Sequence, residues 1–84
     1  MPFRFTTHAL KRLAETRIPR AMVEAVLESP EQRTIERNEI ACFQSRVFLD
    51  EKEYLLRVFV NETVDPRLVV TVYRTSKIAK YWRT

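Results

Sequence analysis

Three groups of residues in this chain have types and spacings that could do chemistry. Arg46 and Arg57 fall on the same face of two strand-like segments, among Phe48, Phe59 and Tyr73. The last eighteen residues carry Arg67, Arg74, Lys77, Lys80 and Arg83 without an acid, interleaved with Tyr73, Tyr81 and Trp82. His8 and Arg12 stand one helical turn apart near the start. Planar guanidinium forks among aromatic rings suit a phosphate backbone with exposed bases, because the cations release counterions and the rings offer stacking faces. Arginine stays charged at neutral pH, so proton transfer falls to His8, Tyr73, Lys77 and Tyr81. Of these residue types, only histidine has a reference pKa near 7.

The charge is sorted along the chain. Residues 1–20 net +4 and residues 67–84 net +5, while residues 21–66 net −5. If the fold brings the two ends together, one face is basic and another acidic. Ordinary solvated lysines and arginines are the simpler alternative. An Arg46 or Arg57 whose stem packs on rings while its head reaches water is the corresponding alternative for the sheet.

Glycine is absent, which excludes glycine-rich phosphate loops and leaves turns to Asn, Asp and Pro. A single cysteine, Cys42, excludes an internal disulfide and a multi-cysteine zinc site, and reads as a small buried apolar residue in a reducing cytoplasm. No Asp, Glu and His cluster has metal-ligand spacing, so neither a metal nor another cofactor is expected. No apolar run is long enough for a signal peptide or a membrane span.

The elements that must position these groups follow from periodicity. Pro2–Phe5 alternates as a short edge strand. Thr6 or Thr7 caps a helix running to about Thr16, with Leu10, Leu13 and Ala14 as its apolar stripe and His8, Lys11, Arg12 and Glu15 opposite. Pro19 opens a second helix that buries Met22, Val23, Val26 and Leu27 and ends at Ser29-Pro30. Strands follow over 33–37, 41–49, 53–61 and 68–74, with a turn at Asp50-Glu51-Lys52 and a loop containing Asp65-Pro66. Thr75 or Ser76 caps a short helix from Lys77 to Trp82. The expected fold is α+β: a two-helix hairpin packed on one face of an antiparallel sheet of about four strands, with a short C-terminal helix. Alternation puts Phe43, Val47 and Leu49, Tyr54, Leu56, Val58 and Val60, and Leu68, Val70 and Val72 under the helices. The second face receives Gln44, Arg46, Phe48, Leu55, Arg57, Phe59, Val69, Thr71 and Tyr73.

Two stretches are similar to known families. Thr6-Thr7-His8-Ala9-Leu10-Lys11-Arg12-Leu13, followed by Arg17-Ile18, resembles the opening of the prokaryotic domain-of-unknown-function family 4258. The segment from Cys42 to Tyr81 resembles the sheet of the RelE/ParE toxin superfamily. Tyr54-Leu55-Leu56-Arg57-Val58-Phe59 is similar to that superfamily's Tyr-Arg strand, with two residues between Tyr and Arg. Val72-Tyr73-Arg74-Thr75-Ser76-Lys77 resembles its last strand and basic stretch, leading to Tyr81. The glycine that usually precedes the Tyr-Arg strand and the C-terminal histidine are missing here.

The resemblance implies a cytoplasmic type II toxin of one domain that cuts ribosome-bound mRNA without a metal and is silenced by an acidic antitoxin. It implies that Arg57, Arg74 and Lys77 meet the scissile phosphate, that Arg46 contacts neighbouring phosphates, and that Tyr81 stacks on a base or moves a proton. His8 carries over from the narrower family alone. Arg12, Tyr73, Lys80 and Arg83 extend the nucleic-acid face. Two residues have duller alternatives: His8 exposed or bonded to Glu15, and Arg74 capping the sheet's end in phase with Val72. A non-catalytic module that binds nucleic acid or inhibits a protein such as a topoisomerase is the other function class. The acidic middle of one copy meeting the basic face of another would give a homodimer.

Overall fold

The computed structural model describes residues 3–84, so Pro2 lies outside the described residues. In chain order the elements are β1 (Phe3–Phe5), α1 (Thr7–Thr16), α2 (Arg20–Glu28), β2 (Gln32–Ile35), a 3₁₀ turn (Arg37–Glu39), β3 (Ala41–Leu49), β4 (Lys52–Asn61), β5 (Arg67–Thr75) and α3 (Ile78–Tyr81). They build one sheet in the order β1-β5-β4-β3-β2. The sheet has five strands rather than about four, and it is mixed: β1 pairs with β5 in parallel, while the other neighbours are antiparallel. β1 is the extra strand, recruited because the chain enters alongside Arg67–Val69 before turning into α1.

Thr6 fixes that turn. Its hydroxyl accepts from the Ala9 amide at 3.0 Å as an N-cap and donates to the Val70 carbonyl at 2.9 Å. This sets the phase of α1, so that Ala9 and Leu13 are buried and Leu10 and Ala14 point outward. The stripe expected from periodicity is therefore rotated: Leu10 is 44% exposed, whereas the small Ala9 lets the helix sit close to β5. In α2, Val23, Val26 and Leu27 are buried and Met22 half-buried, as the spacing predicts, but Pro19 is the N-cap rather than the first helical residue.

The main core lies between the two helices and one sheet face, centred on Val23, Val26, Phe43, Leu56, Val58, Val60 and Val72. Strict alternation fails at one point on β5. A bulge pairs Phe59 with Thr71 but Val60 with Val69, so Val70 has no partner in the register. Val69 is consequently fully buried in the core, and Val70 turns to the second face, the reverse of the sequence expectation.

Without glycine, five ordinary residues among those described take left-handed backbone: Arg17, Asn38, Glu39, Asp50 and Glu51. Arg17 ends α1, its amide bonded to the Leu13 carbonyl. Asp50 and Glu51 make the two-residue hairpin between β3 and β4, both with positive φ as that turn requires.

Candidate functional site

The second face of the sheet is not open. The tail after β5 folds back over Gln44 and Arg57, and Cys42, Gln44, Leu55 and Arg57 on this face are all buried. Two glutamines hold the tail. Gln32, on edge strand β2, grips the Arg83 backbone from both sides: its Nε2 donates to the Arg83 carbonyl, and its Oε1 accepts from the Arg83 amide at 3.0 Å. Gln44, on β3, donates through Nε2 to Gln32 Oε1 at 2.8 Å and to the Tyr81 carbonyl at 3.2 Å. Its Oε1 accepts from Arg57 Nε at 2.9 Å. The two side chains thus pair with the tail as a neighbouring strand would, and give the buried amide of Gln44 partners at both ends.

Arg57 is the centre of this layer, at 5% exposure. Nη1 donates to the Tyr73 hydroxyl at 2.8 Å, and Nη2 lies 3.7 Å from the Glu36 carboxylate. The guanidinium carbon sits 4.4 Å from the Tyr81 ring centre, 5.2 Å from Phe59 and 5.8 Å from Tyr73. Phe59 and Tyr73 stack at 5.9 Å with an interplanar angle of 14°, and Tyr81 meets Tyr73 edge-on at 6.4 Å. Rings on three sides keep water away, and charge-assisted bonds satisfy the buried cation.

Above Arg57 opens a polar cleft of about 440 Å³ lined by Glu36, Arg57, Lys80, Tyr81, Trp82 and Arg83. The Tyr81 phenol is held below its ordinary value, first by the adjoining Tyr73 hydroxyl and then by the Lys80 ammonium and Arg57. Tyr73 is displaced the other way: burial first, and Tyr81 with it, push its phenol up against the lowering by Arg57. The two phenols are thereby split, with Tyr81 the more acidic. Glu36 is fixed by Thr34, whose hydroxyl donates to Glu36 Oε2 at 2.7 Å. Cys42 lies beneath, its thiol pushed up to about 11 by burial.

The structure brings together Arg57, Tyr73, Tyr81, Lys80 and Arg83. Arg46 stands beside them, its guanidinium 4.5 Å from the Trp82 ring centre, but Glu31 clasps it at 3.2 Å through both Nε and Nη2. His8 reaches the rim of the same face, where Nε2 lies 3.1 Å from the Thr71 hydroxyl; Thr71, not Glu15, is its partner. Arg12 instead pairs loosely with Glu15 at 3.8 Å. Arg74 is placed elsewhere. It pairs with Leu56 in the register, on the helix side of the sheet, and lies 4.6 Å from the Tyr54 ring centre. This is the placement its shared parity with Val72 predicts, and it separates Arg74 from Arg57 by the thickness of the sheet. Lys77 is exposed at the link into α3, where the Thr75 hydroxyl accepts from its amide.

Gln32, Gln44 and Glu36 are the members that sequence reading missed. Alternation does place Gln44 beside Arg46 and Arg57 on the second face. A glutamine within a run of otherwise apolar strand residues (Ala41-Cys42-Phe43-Gln44) is the signal that could have found it, because a buried amide needs partners.

A family model described as "Domain of unknown function (DUF4258)" matches residues 5–74. The chain belongs to this family. The DUF4258 match takes in Glu36, Gln44, Arg57 and Tyr73, and stops before α3 and the tail that closes the cleft. Neither the curated proteins nor the solved structures yield a match to this chain.

Proposed function

We propose that this DUF4258 protein is a metal-independent endoribonuclease of the RelE/ParE toxin type, working at the cleft above Arg57. One observation carries the reading. A carboxylate (Glu36), a phenol of lowered pKa (Tyr81) and a buried guanidinium (Arg57) line one cleft, bordered by Lys80 and Arg83.

Metal-free RNA cleavage needs a base for the 2′-hydroxyl, cations for the phosphorane and an acid for the leaving 5′ oxygen. Lys80 and Arg83, both exposed, draw in the phosphate, and Arg57 supplies fixed positive charge beneath it. Glu36 takes the 2′-hydroxyl proton, and the oxygen attacks phosphorus. Tyr81 gives its proton to the departing 5′ oxygen, which leaves a 2′,3′-cyclic phosphate. The partner implied by this reading is ribosome-bound mRNA, and an acidic antitoxin segment would silence the toxin by neutralising the same cations.

A second reading rests on the saturation of Arg57. Three of its nitrogens are already engaged by Gln44, Tyr73 and Glu36, so it can serve as a scaffold in a module that binds nucleic acid without cutting it.

Controlled expression in bacteria with 5′-end mapping of cellular RNA separates the two. The toxin reading expects growth arrest and new cuts in translated regions, abolished in Glu36→Gln and Tyr81→Phe. Arrest without cuts, or cuts that persist in both variants, refutes this assignment of the chemistry.

A further inference from the structure

Beside the polar cleft lies a second hollow of about 390 Å³, lined by Glu36, Arg37, Ile40, Phe59, Val70 and Thr71. The two share Glu36 as a common wall. Arg57 and Phe59, which floor the cleft and the hollow respectively, are two residues apart on one strand face, about 7 Å in an extended chain. That offset is on the scale of one nucleotide.

Two departures from regular structure build this hollow. The β5 bulge re-aims Val70 out of the core and into its floor. On the opposite wall, Asn38 and Glu39 adopt successive left-handed conformations, which turn the chain between Arg37 and Ile40. Neither residue gains the steric relief a glycine would have there. The result is an apolar slot (Ile40, Phe59, Val70) with a polar rim (Glu36, Arg37, Thr71), directly next to a cationic one.

Resting on the RNA reading above, we infer that this hollow is a nucleobase pocket: it takes one unstacked base of a single strand whose phosphate lies in the neighbouring cleft. An apolar slot with an aromatic ring suits the faces of a base. Its rim offers a carboxylate, a guanidinium and a hydroxyl to the base edge. The paired hollows require a single strand, because a base in a duplex cannot turn away from its stack without the cost of unpairing.

The test is binding of short single-stranded RNA, followed by fluorescence anisotropy, using oligonucleotides that are intact or carry one abasic ribose at each position in turn. One position is expected to be sensitive, with loss of its base weakening binding about ten-fold, within the range for a base stacked on an aromatic side chain. Val70→Phe, which fills the hollow, should weaken the intact strand by a similar factor and make that abasic position silent. Phe59→Leu, checked for folding by circular dichroism, should act in the same direction. RNA binding that ignores every abasic substitution and both variants would overturn the base pocket while leaving the phosphate cleft standing. Failure of the intact strand to bind at all would overturn both.

Discussion

Gln44 holds the Arg57 layer and the tail together, and its removal has a magnitude that follows from its partners. The side chain is fully buried, receives the Arg57 Nε–H and donates to Gln32 and to the Tyr81 carbonyl. Gln44→Ala leaves the Arg57 Nε–H without its acceptor in a residue only 5% exposed. Orphaning such a donor costs about 1–3 kcal/mol, and more when the group is charged. The vacated side-chain volume adds to this. A loss of about 3 kcal/mol is expected, which in a domain this small lowers the melting temperature by roughly 12–24 °C. Gln44→Glu separates the two functions of the amide. It keeps an acceptor for Arg57 but turns an oxygen toward the Gln32 and Tyr81 carbonyl oxygens, so the tail should detach with a smaller global loss. Trp82 is the only tryptophan and lies in that tail, so its emission reports detachment directly. Urea unfolding followed by circular dichroism gives the global term. Gln44→Ala costing less than about 1 kcal/mol, with an unchanged Trp82 spectrum, would refute the view that this network pins the tail.

Three further expectations concern the scaffold. Cys42 keeps its proton in the native state up to about 11, against an ordinary value of 9.0, so the unfolded chain releases that proton first as pH rises. Its contribution to stability is complete below pH 9.0 and is lost between there and about 11, so the urea midpoint of the wild type should fall relative to that of Cys42→Ala across that window. Native Cys42 should also resist a thiol reagent that labels it promptly after unfolding. At the hairpin, Glu51 has φ 63°, so Glu51→Gly should stabilise the protein by about 1 kcal/mol in thermal unfolding by relieving left-handed strain. A destabilising result there would show that the Glu51 side chain makes an interaction outweighing the strain.

Much of the fold was legible because its cues are local. A cap at Thr6 or Thr7, the Ser29-Pro30 stop, a turn at Asp50-Glu51-Lys52 (of which Lys52 is already in β4, paired with Leu49) and the alternation of β3 and β4 each depend on a few adjacent residues. The sequence by itself determined an α+β domain with Arg57, Phe59 and Tyr73 on one sheet face, and the resemblance of its opening to DUF4258 is matched over residues 5–74. The parity of Arg74 with Val72 was equally plain, and that parity is what removes Arg74 from the site.

What tertiary structure alone decided depends on residues distant in the chain. The phase of α1 follows from Thr6 reaching Val70, which exposes Leu10 and buries Ala9. The bulge that exchanges Val69 and Val70 leaves alternation intact in the sequence and breaks it only in the pairing with β4. The cleft itself needs Gln32 to meet Arg83, Gln44 to meet Arg57 and Tyr81, and Glu36 to approach Arg57. Hydrogen bonds and ion pairs of this kind carry no periodic signature. Hydrophobic alternation assigns a residue to a face, but only the return of the tail across that face decides whether it meets water, a ring or a charge.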